Sequence, residues 1–141
     1  MIGVVIVTHY RLAEEFLRAL ELIVGKLEHV RAIGLDPTTG SPEEMRQRIE
    51  KAIGEVESGQ GVLVMVDMFG GTPSNLSLAF LEEGQVEVVT GLNLPMLVKA
   101  ACQKEDLPLH ELAELAQEYG RRNISVATDI LAGREKAGDG S

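Results

Sequence analysis

The chain predicts an α/β fold: a doubly wound, mostly parallel sheet of strand order 2-1-3-4 with helices on both faces. Short apolar runs of strand length alternate along it with segments whose apolar residues recur at helical spacing. One run, Gly61-Val62-Leu63-Val64-Met65-Val66, is apolar at nearly every position, which is how a strand buried on both faces reads. Right-handed crossovers then wind a βαβαβαβ chain first one way and then the other from its first strand. Strands 1 and 3 become neighbours, and a crevice opens at their carboxyl ends.

The elements follow in order. Strand 1 covers residues 2–7 and helix 1 residues 11–24, with Leu12, Phe16, Leu20 and Ile23 on one face and Gly25 as a stop. Strand 2 covers 30–35. Ser41 then caps a second helix, with Pro42 at its first position and Glu44 closing a capping box; Met45, Ile49, Ile53 and Val56 point inward. Strand 3 is 61–66, and helix 3 opens on Thr72 as cap with Pro73 first. Strand 4 is 86–90. A short helix follows Asn93-Leu94-Pro95, and a longer one over 109–119 carries Leu112, Leu115, Ala116 and Tyr119. Residues 124–127 alternate, Ile124 and Val126 against Ser125, as a short strand does. It need not follow the parallel winding, so an antiparallel edge strand is expected, paired within the chain or with a second subunit. One domain, 1–130, and a flexible polar tail, 131–141, complete the organisation.

Composition narrows the function. With 141 residues, 45% of them apolar, the chain buries a real core. A net charge of −9 leaves no basic stripe for nucleic acid. Arg121 and Arg122 read as partners of a helix dipole. The single cysteine, Cys102, fits a reducing compartment and reads as a small buried hydrophobe. No run is long enough to span a bilayer and no basic signal-peptide start precedes the first strand, so a soluble, cytoplasmic chain without direct membrane insertion is expected.

The chemistry gathers at the crevice. His9 stands at the carboxyl end of strand 1 and Asp67 at that of strand 3. A neutral imidazole is a nucleophile when one nitrogen is free and the other is held as N–H. A carboxylate fixes that tautomer and stabilises the charged ring that phosphorylation leaves. Asp67 could instead be a helix cap or a turn residue. Gly70 and Gly71 permit close backbone approach, and with Thr72 and the free N–H groups opening helix 3 they suit a phosphoryl group, although an ordinary βα turn reads the same way. Thr8 either adds a hydroxyl or only ends the strand. Thr8, Gly70, Gly71, Thr72 and Ser74 form the candidate phosphoryl-binding set. His29, before strand 2, and His110, among Glu105, Asp106 and Glu111, read as solvated surface. No pair of histidines or cysteines has metal-ligand spacing, and neither GxxxxGK[ST] nor GxGxxG occurs, so no metal, nucleotide or other cofactor is expected.

Three loop motifs together resemble the mannose-family IIA component of the sugar phosphotransferase system. They are Thr8-His9 after strand 1, Asp67-Met-Phe-Gly70-Gly71-Thr72-Pro73-Ser74-Asn75 after strand 3, and Thr90-Gly91-Leu-Asn93-Leu-Pro95 after strand 4. The resemblance runs from residue 1 to about residue 127. It implies a cytoplasmic phosphocarrier in which His9 accepts a phosphoryl group from the histidine phosphocarrier protein and passes it to a IIB component. It also implies Asp67 as partner of the other ring nitrogen, Thr72 and the glycine turn as phosphoryl contacts, and a fifth antiparallel strand exchanged within a homodimer.

The chain departs from the family in two places. Many members have a small residue after the active histidine, where this chain has Tyr10. Many are joined to IIB by a flexible linker, whereas this chain ends in a short polar tail, so IIB is expected on another protein or absent. That leaves room for a standalone regulatory protein whose phosphorylation state a partner reads. A receiver-type signalling domain phosphorylated on Asp67 is the other alternative, but it needs an acidic Mg²⁺ cluster after strand 1 and a later lysine, and the chain offers neither.

Overall fold

The structure, a computed structural model, describes residues 1–103 and 106–133. At its centre lies β1 (Gly3–His9), whose period-two alternation sends Val4 and Ile6 to one face and Val5 and Val7 to the other, all fully buried. It pairs in parallel with β2 (Val30–Leu35) on one side and β3 (Val62–Val66) on the other; β4 (Val86–Thr90) pairs in parallel with β3. The order is β2-β1-β3-β4, the 2-1-3-4 order expected, and these four strands are all parallel.

Right-handed crossovers divide the helices. α1 (Leu12–Val24), α4 (Leu94–Ala101) and α5 (Leu109–Arg122) cover the Val4–Ile6 face; α2 (Pro42–Val56) and α3 (Gly71–Leu78) cover the Val5–Val7 face. The direction of winding reverses at β1 while the crossovers keep their hand, which places the crevice between the carboxyl ends of β1 and β3.

Several local expectations shift. In α1 the inward face is Ala13 and Leu20 with Phe16, Leu17 and Val24, while Leu12 and Ile23 are exposed. The cause is Thr8: its buried hydroxyl accepts from the Ala13 N–H at 2.6 Å and fixes the helix's rotation about its axis. In α2 Ser41 accepts from the Glu44 N–H as a cap should, but the Glu44 carboxylate takes the Ser41 hydroxyl at 3.2 Å and forms only this side of the box. α3 begins two residues early, at Gly71. Two consecutive glycines at φ +88° and +83° turn the chain into the helix, so Thr72 lies inside it and is not its cap.

The expected strand over 124–127 is absent from the chain alone. Among the described residues, 124–126 pair with no strand, Ile124 and Val126 are exposed, and a short helix α6 (Ala127–Leu131) follows. Alternation marks a segment that suits an edge but does not supply the edge. The expected domain boundary after residue 130 falls within α6, and residues 134–141 of the expected tail lie outside the described residues, as does Glu105. Cys102 is exposed at the end of α4, not buried. Arg121 and Arg122 do close the last turn of α5, where Arg122 also pairs with Glu118. No described helix is long and apolar enough to cross a membrane.

His29 is not solvated. It is half-buried, and its Nε2–H donates to the Ala101 carbonyl at 3.0 Å, tying the start of β2 to the end of α4. Burial lowers its pKa below the usual 6.5. The exposed His110 sits 3.1 Å from Glu87 and 3.6 Å from Glu114, and these carboxylates raise its pKa.

The two histidines predict opposite contributions to the pH dependence of stability. As pH falls below 6.5 the unfolded chain protonates His29 before the folded chain does, so acid weakens the fold through this residue. His110 binds its proton more tightly when folded, so its stabilisation is full below 6.5 and is lost as pH rises through its raised value. In urea titrations at about pH 7.5 and about pH 5.5, either side of the ordinary histidine value, His29→Gln should lose less stability on acidification than the parent. His110→Gln should lose more.

Candidate functional site

Parallel register carries the ends of β1 and β3 to the same level, with Val7 beside Val66. The next residues on each side place His9 and Asp67 together. Asp67 Oδ2 accepts two hydrogen bonds from His9, one from the backbone N–H at 2.9 Å and one from ring Nδ1 at 2.8 Å. Oδ1 accepts the Met68 N–H at 3.0 Å. A carboxylate oxygen accepts here, so Nδ1 carries a proton, and the neutral form of the ring has its lone pair on Nε2. The Asp67 side chain is 12% exposed and the imidazole 42%. The carboxylate is shielded while the ring's outer edge meets solvent.

Nε2 faces the start of α3. A Cβ built on Gly71 would stand 3.1 Å from Nε2 and 3.3 Å from Cε1, and Gly71 sits at φ +83°. A helix start has N–H groups without intrahelical partners and carries partial positive charge. Those donors here are Gly71 and Thr72, since Pro73 has no N–H. A nucleophilic nitrogen therefore lies against backbone dipoles suited to an anion.

The turn behind His9 is held in place by neighbours. Tyr10 lies at φ +47°, the one non-glycine with positive φ among the described residues. Its N–H donates to the Leu35 carbonyl at 2.7 Å. A Cβ on Gly34 would come within 2.0 Å of the Tyr10 carbonyl oxygen, so only glycine lets β2 approach this turn. Glu14 Oε2 accepts the Gly34 N–H at 3.3 Å, while its buried Oε1 has no partner.

Of the residues singled out from sequence, Asp67 is bonded to His9 and Gly71 lies against Nε2, with Gly70 and Thr72 as its chain neighbours at the start of α3. Thr8 and Ser74 are turned inward. Both are fully buried; the Thr8 hydroxyl is engaged with Ala13 and with the His9 carbonyl at 3.2 Å, and the Ser74 hydroxyl is enclosed without a partner. The third motif organises α4: Asn93 accepts from the Met96 N–H at 3.0 Å and donates to the Gly120 carbonyl at 3.1 Å. Sequence reasoning missed Gly34, because no local pattern shows that a β2 glycine faces the turn after His9.

Comparison with known proteins follows this geometry. Residues 3–117 match the family described as the fructose IIA component of the phosphotransferase system. The chain is 34% identical over 125 residues to the mannose-specific EIIAB component of Escherichia coli, covering 87% of this chain and 38% of that one. It therefore spans well under half the length of that relative. It is 26% identical to the fructose-specific EIIA component of Bacillus subtilis, covering 93% of this chain and 90% of that one. Among solved structures, the phosphotransferase EIIA component from Streptococcus agalactiae superimposes with a TM-score of 0.81 at 27% identity, covering 91% and 98% of the two chains. The IIA protein associated with the fucose utilization operon of Streptococcus pneumoniae gives 0.77 at 29% identity, covering 92% and 95%.

Removing the carboxylate should free the ring. In Asp67→Ala, the ¹⁵N imidazole shifts of His9 should move from the Nδ1–H tautomer toward a mixture. The unpaired His9 amide should cost about 1–3 kcal/mol in chemical denaturation. Gly71→Ala should cost about 1–2 kcal/mol, because an alanine at positive φ is strained, and should displace the ring.

Proposed function

This chain belongs to the fructose IIA family of the phosphotransferase system, and on that premise we propose that it is a phosphohistidine carrier. His9 Nε2 accepts a phosphoryl group from the histidine phosphocarrier protein and passes it to a IIB component for sugar uptake. The observation that supports this best is the pair of bonds from His9 to one oxygen of Asp67.

The step balances without another reactant. The Nε2 lone pair attacks phosphorus, and the N–P bond of the donor phosphohistidine breaks with its electron pair staying on the donor ring. That ring keeps the proton on its other nitrogen and leaves neutral. His9 becomes a cationic phosphoimidazole with Nδ1–H retained, and the Asp67 carboxylate offsets the new charge. The N–H groups of Gly71 and Thr72 receive the phosphoryl oxygens, with Gly70 shaping the approach and the half-exposed Thr72 hydroxyl within the same turn. Positioning and charge stabilisation suffice for such a transfer.

The active protein is read as a homodimer. β4 ends the sheet, and among the described residues its outer edge meets an antiparallel bridge from Glu82 to Val86 and no further strand. A groove of about 240 Å³ beside it is lined by Glu87, Val88, Val89 and Thr90 of β4 and by His110 and Ala113 of α5. Residues 124–127 of a second copy, carrying the exposed Ile124 and Val126, suit that edge as an exchanged antiparallel strand.

Two experiments test this reading. The purified chain, incubated with phosphoenolpyruvate, enzyme I and the histidine phosphocarrier, should gain an acid-labile, alkali-stable label that His9→Ala lacks. Asp67→Asn should be labelled on the order of 10²-fold more slowly. Label persisting in His9→Ala would move the acceptor elsewhere. A folded wild type that takes no label beside a working control would leave only a regulatory role. In sedimentation, Val126→Asp should shift a dimer toward monomer, and a wild type that is already monomeric would remove the exchanged strand.

A further inference from the structure

We infer that Glu14 is a positioning residue for the transfer: through Gly34 it holds the turn behind His9 and thereby the aim of Nε2, an inference that rests on the carrier reading. Glu14 lies in the first turn of α1, where a carboxylate commonly does no more than complement the helix dipole. Its neighbour Glu15 does that from solvent. Glu14 is turned inward instead. Its Oε2 reaches 20 positions along the chain to accept the Gly34 N–H of β2 at 3.3 Å. Its Oε1 is buried and has no hydrogen-bond partner among the described residues. A buried acceptor left unpaired opposes folding, so stability alone does not account for this side chain.

What Glu14 grips is the back of the site. In register, Gly34 stands beside Thr8 and Leu35 beside His9. The Leu35 carbonyl takes the Tyr10 N–H at 2.7 Å. The Tyr10 carbonyl oxygen and Glu14 Oε1 stand 2.0 and 2.4 Å from the point that a Gly34 Cβ would occupy, so turn, glycine and carboxylate meet in one contact. Gly34 is held from both faces of the sheet. α1 brings Glu14 to its N–H, and α2 brings Arg48 to its carbonyl at 3.1 Å. Arg48 is exposed, whereas the Glu14 bond is partly buried, so solvent competes less for Glu14. Tyr10 keeps φ +47°, which a residue with a side chain adopts only where its surroundings enforce it. Relaxing that turn would rotate the peptide that follows His9. The imidazole is 42% exposed, with the Nδ1 bond to Asp67 to orient it. Transfer needs Nε2 in line with phosphorus, so a loss of aim shows in the rate of the step and not in the docking of the donor.

Steady-state transfer from the phosphorylated histidine phosphocarrier, read beside the ¹⁵N ring spectrum of His9, tests this with Glu14→Ala, Glu14→Gln and Glu15→Ala. In Glu14→Ala kcat should fall roughly tenfold, as when a reacting atom is set slightly off line, while KM for the donor changes less than about twofold. The His9 ring resonances should move, with amide shifts confined to the Tyr10 turn and the end of β2. Glu14→Gln keeps an acceptor for the Gly34 N–H and offers a donor where Oε1 has no partner, so kcat and the ring resonances should return to the wild-type values. Glu15→Ala removes the exposed charge and should change neither. An unchanged kcat in Glu14→Ala overturns the inference and leaves the carrier reading standing. A loss that Glu14→Gln does not restore overturns it in favour of a role for the charge, and an equal loss in Glu15→Ala overturns it in favour of the helix dipole. A rise confined to KM overturns it in favour of a contact with the donor. A wild type that takes no phosphoryl group overturns the carrier reading, and this inference falls with it.

Discussion

One carboxylate oxygen, Asp67 Oδ2, accepts both the backbone and the ring N–H of His9, and the geometry of the site depends on that double acceptance. The two residues are 58 positions apart in sequence. They meet because β1 and β3 are parallel neighbours in register, Val7 beside Val66, which in turn requires the winding to reverse between them. The backbone bond locks the strand ends together, and the ring bond fixes the tautomer. A change in sheet register of one residue would send His9 to the opposite face and end both.

The same end of the sheet concentrates features that oppose stability. Tyr10 holds positive φ, consecutive glycines open α3, and Glu14, Ser74 and Ser77 each keep a buried oxygen without a partner. Unsatisfied buried polar groups are worth about 1–3 kcal/mol each against the fold. The offset lies in the sheet interior, where Val4 to Val7 and Val62 to Val66 are all fully buried and bury roughly 1.5–3 kcal/mol of apolar side chain apiece. Rigid strands then hold a strained turn where chemistry needs it. The small serines also let α3 lie close on β1 and β3, which keeps its amino end under Nε2.

How much of this was legible in the sequence depended on the range of the signal. Strand positions, their order and the convergence of His9 with Asp67 follow from local periodicity plus the handedness of crossovers, and both operate on patterns a single chain displays. What failed depends on contacts that periodicity does not display. Thr8 reads as a hydroxyl for the phosphoryl site or as a strand end, yet it lies inside the fold, where its hydroxyl accepts the Ala13 N–H. That bond rotates α1 and turns Leu12 outward. His29 reads as solvated, but α4 ends over it and supplies the Ala101 carbonyl. Alternation over 124–127 names a segment fit for an edge and is silent about which chain owns that edge.

Asp67 itself argues against chemistry in which the aspartate is the phosphoryl acceptor. An aspartyl nucleophile needs one oxygen open to an in-line phosphoryl donor and a cation beside it to offset charge. Here Oδ2 holds two N–H donors and Oδ1 a third, and the side chain is 12% exposed. Attack from either oxygen would break the bonds that set the strand ends. The imidazole has the reverse arrangement. Its inner nitrogen is fully engaged, while its outer nitrogen is bare and faces the glycine-opened amino end of α3. The pair thus divides its hydrogen bonding: the carboxylate is engaged by three N–H donors, and the ring keeps its outer nitrogen facing the amino end of α3, the arrangement that the proposed carrier requires.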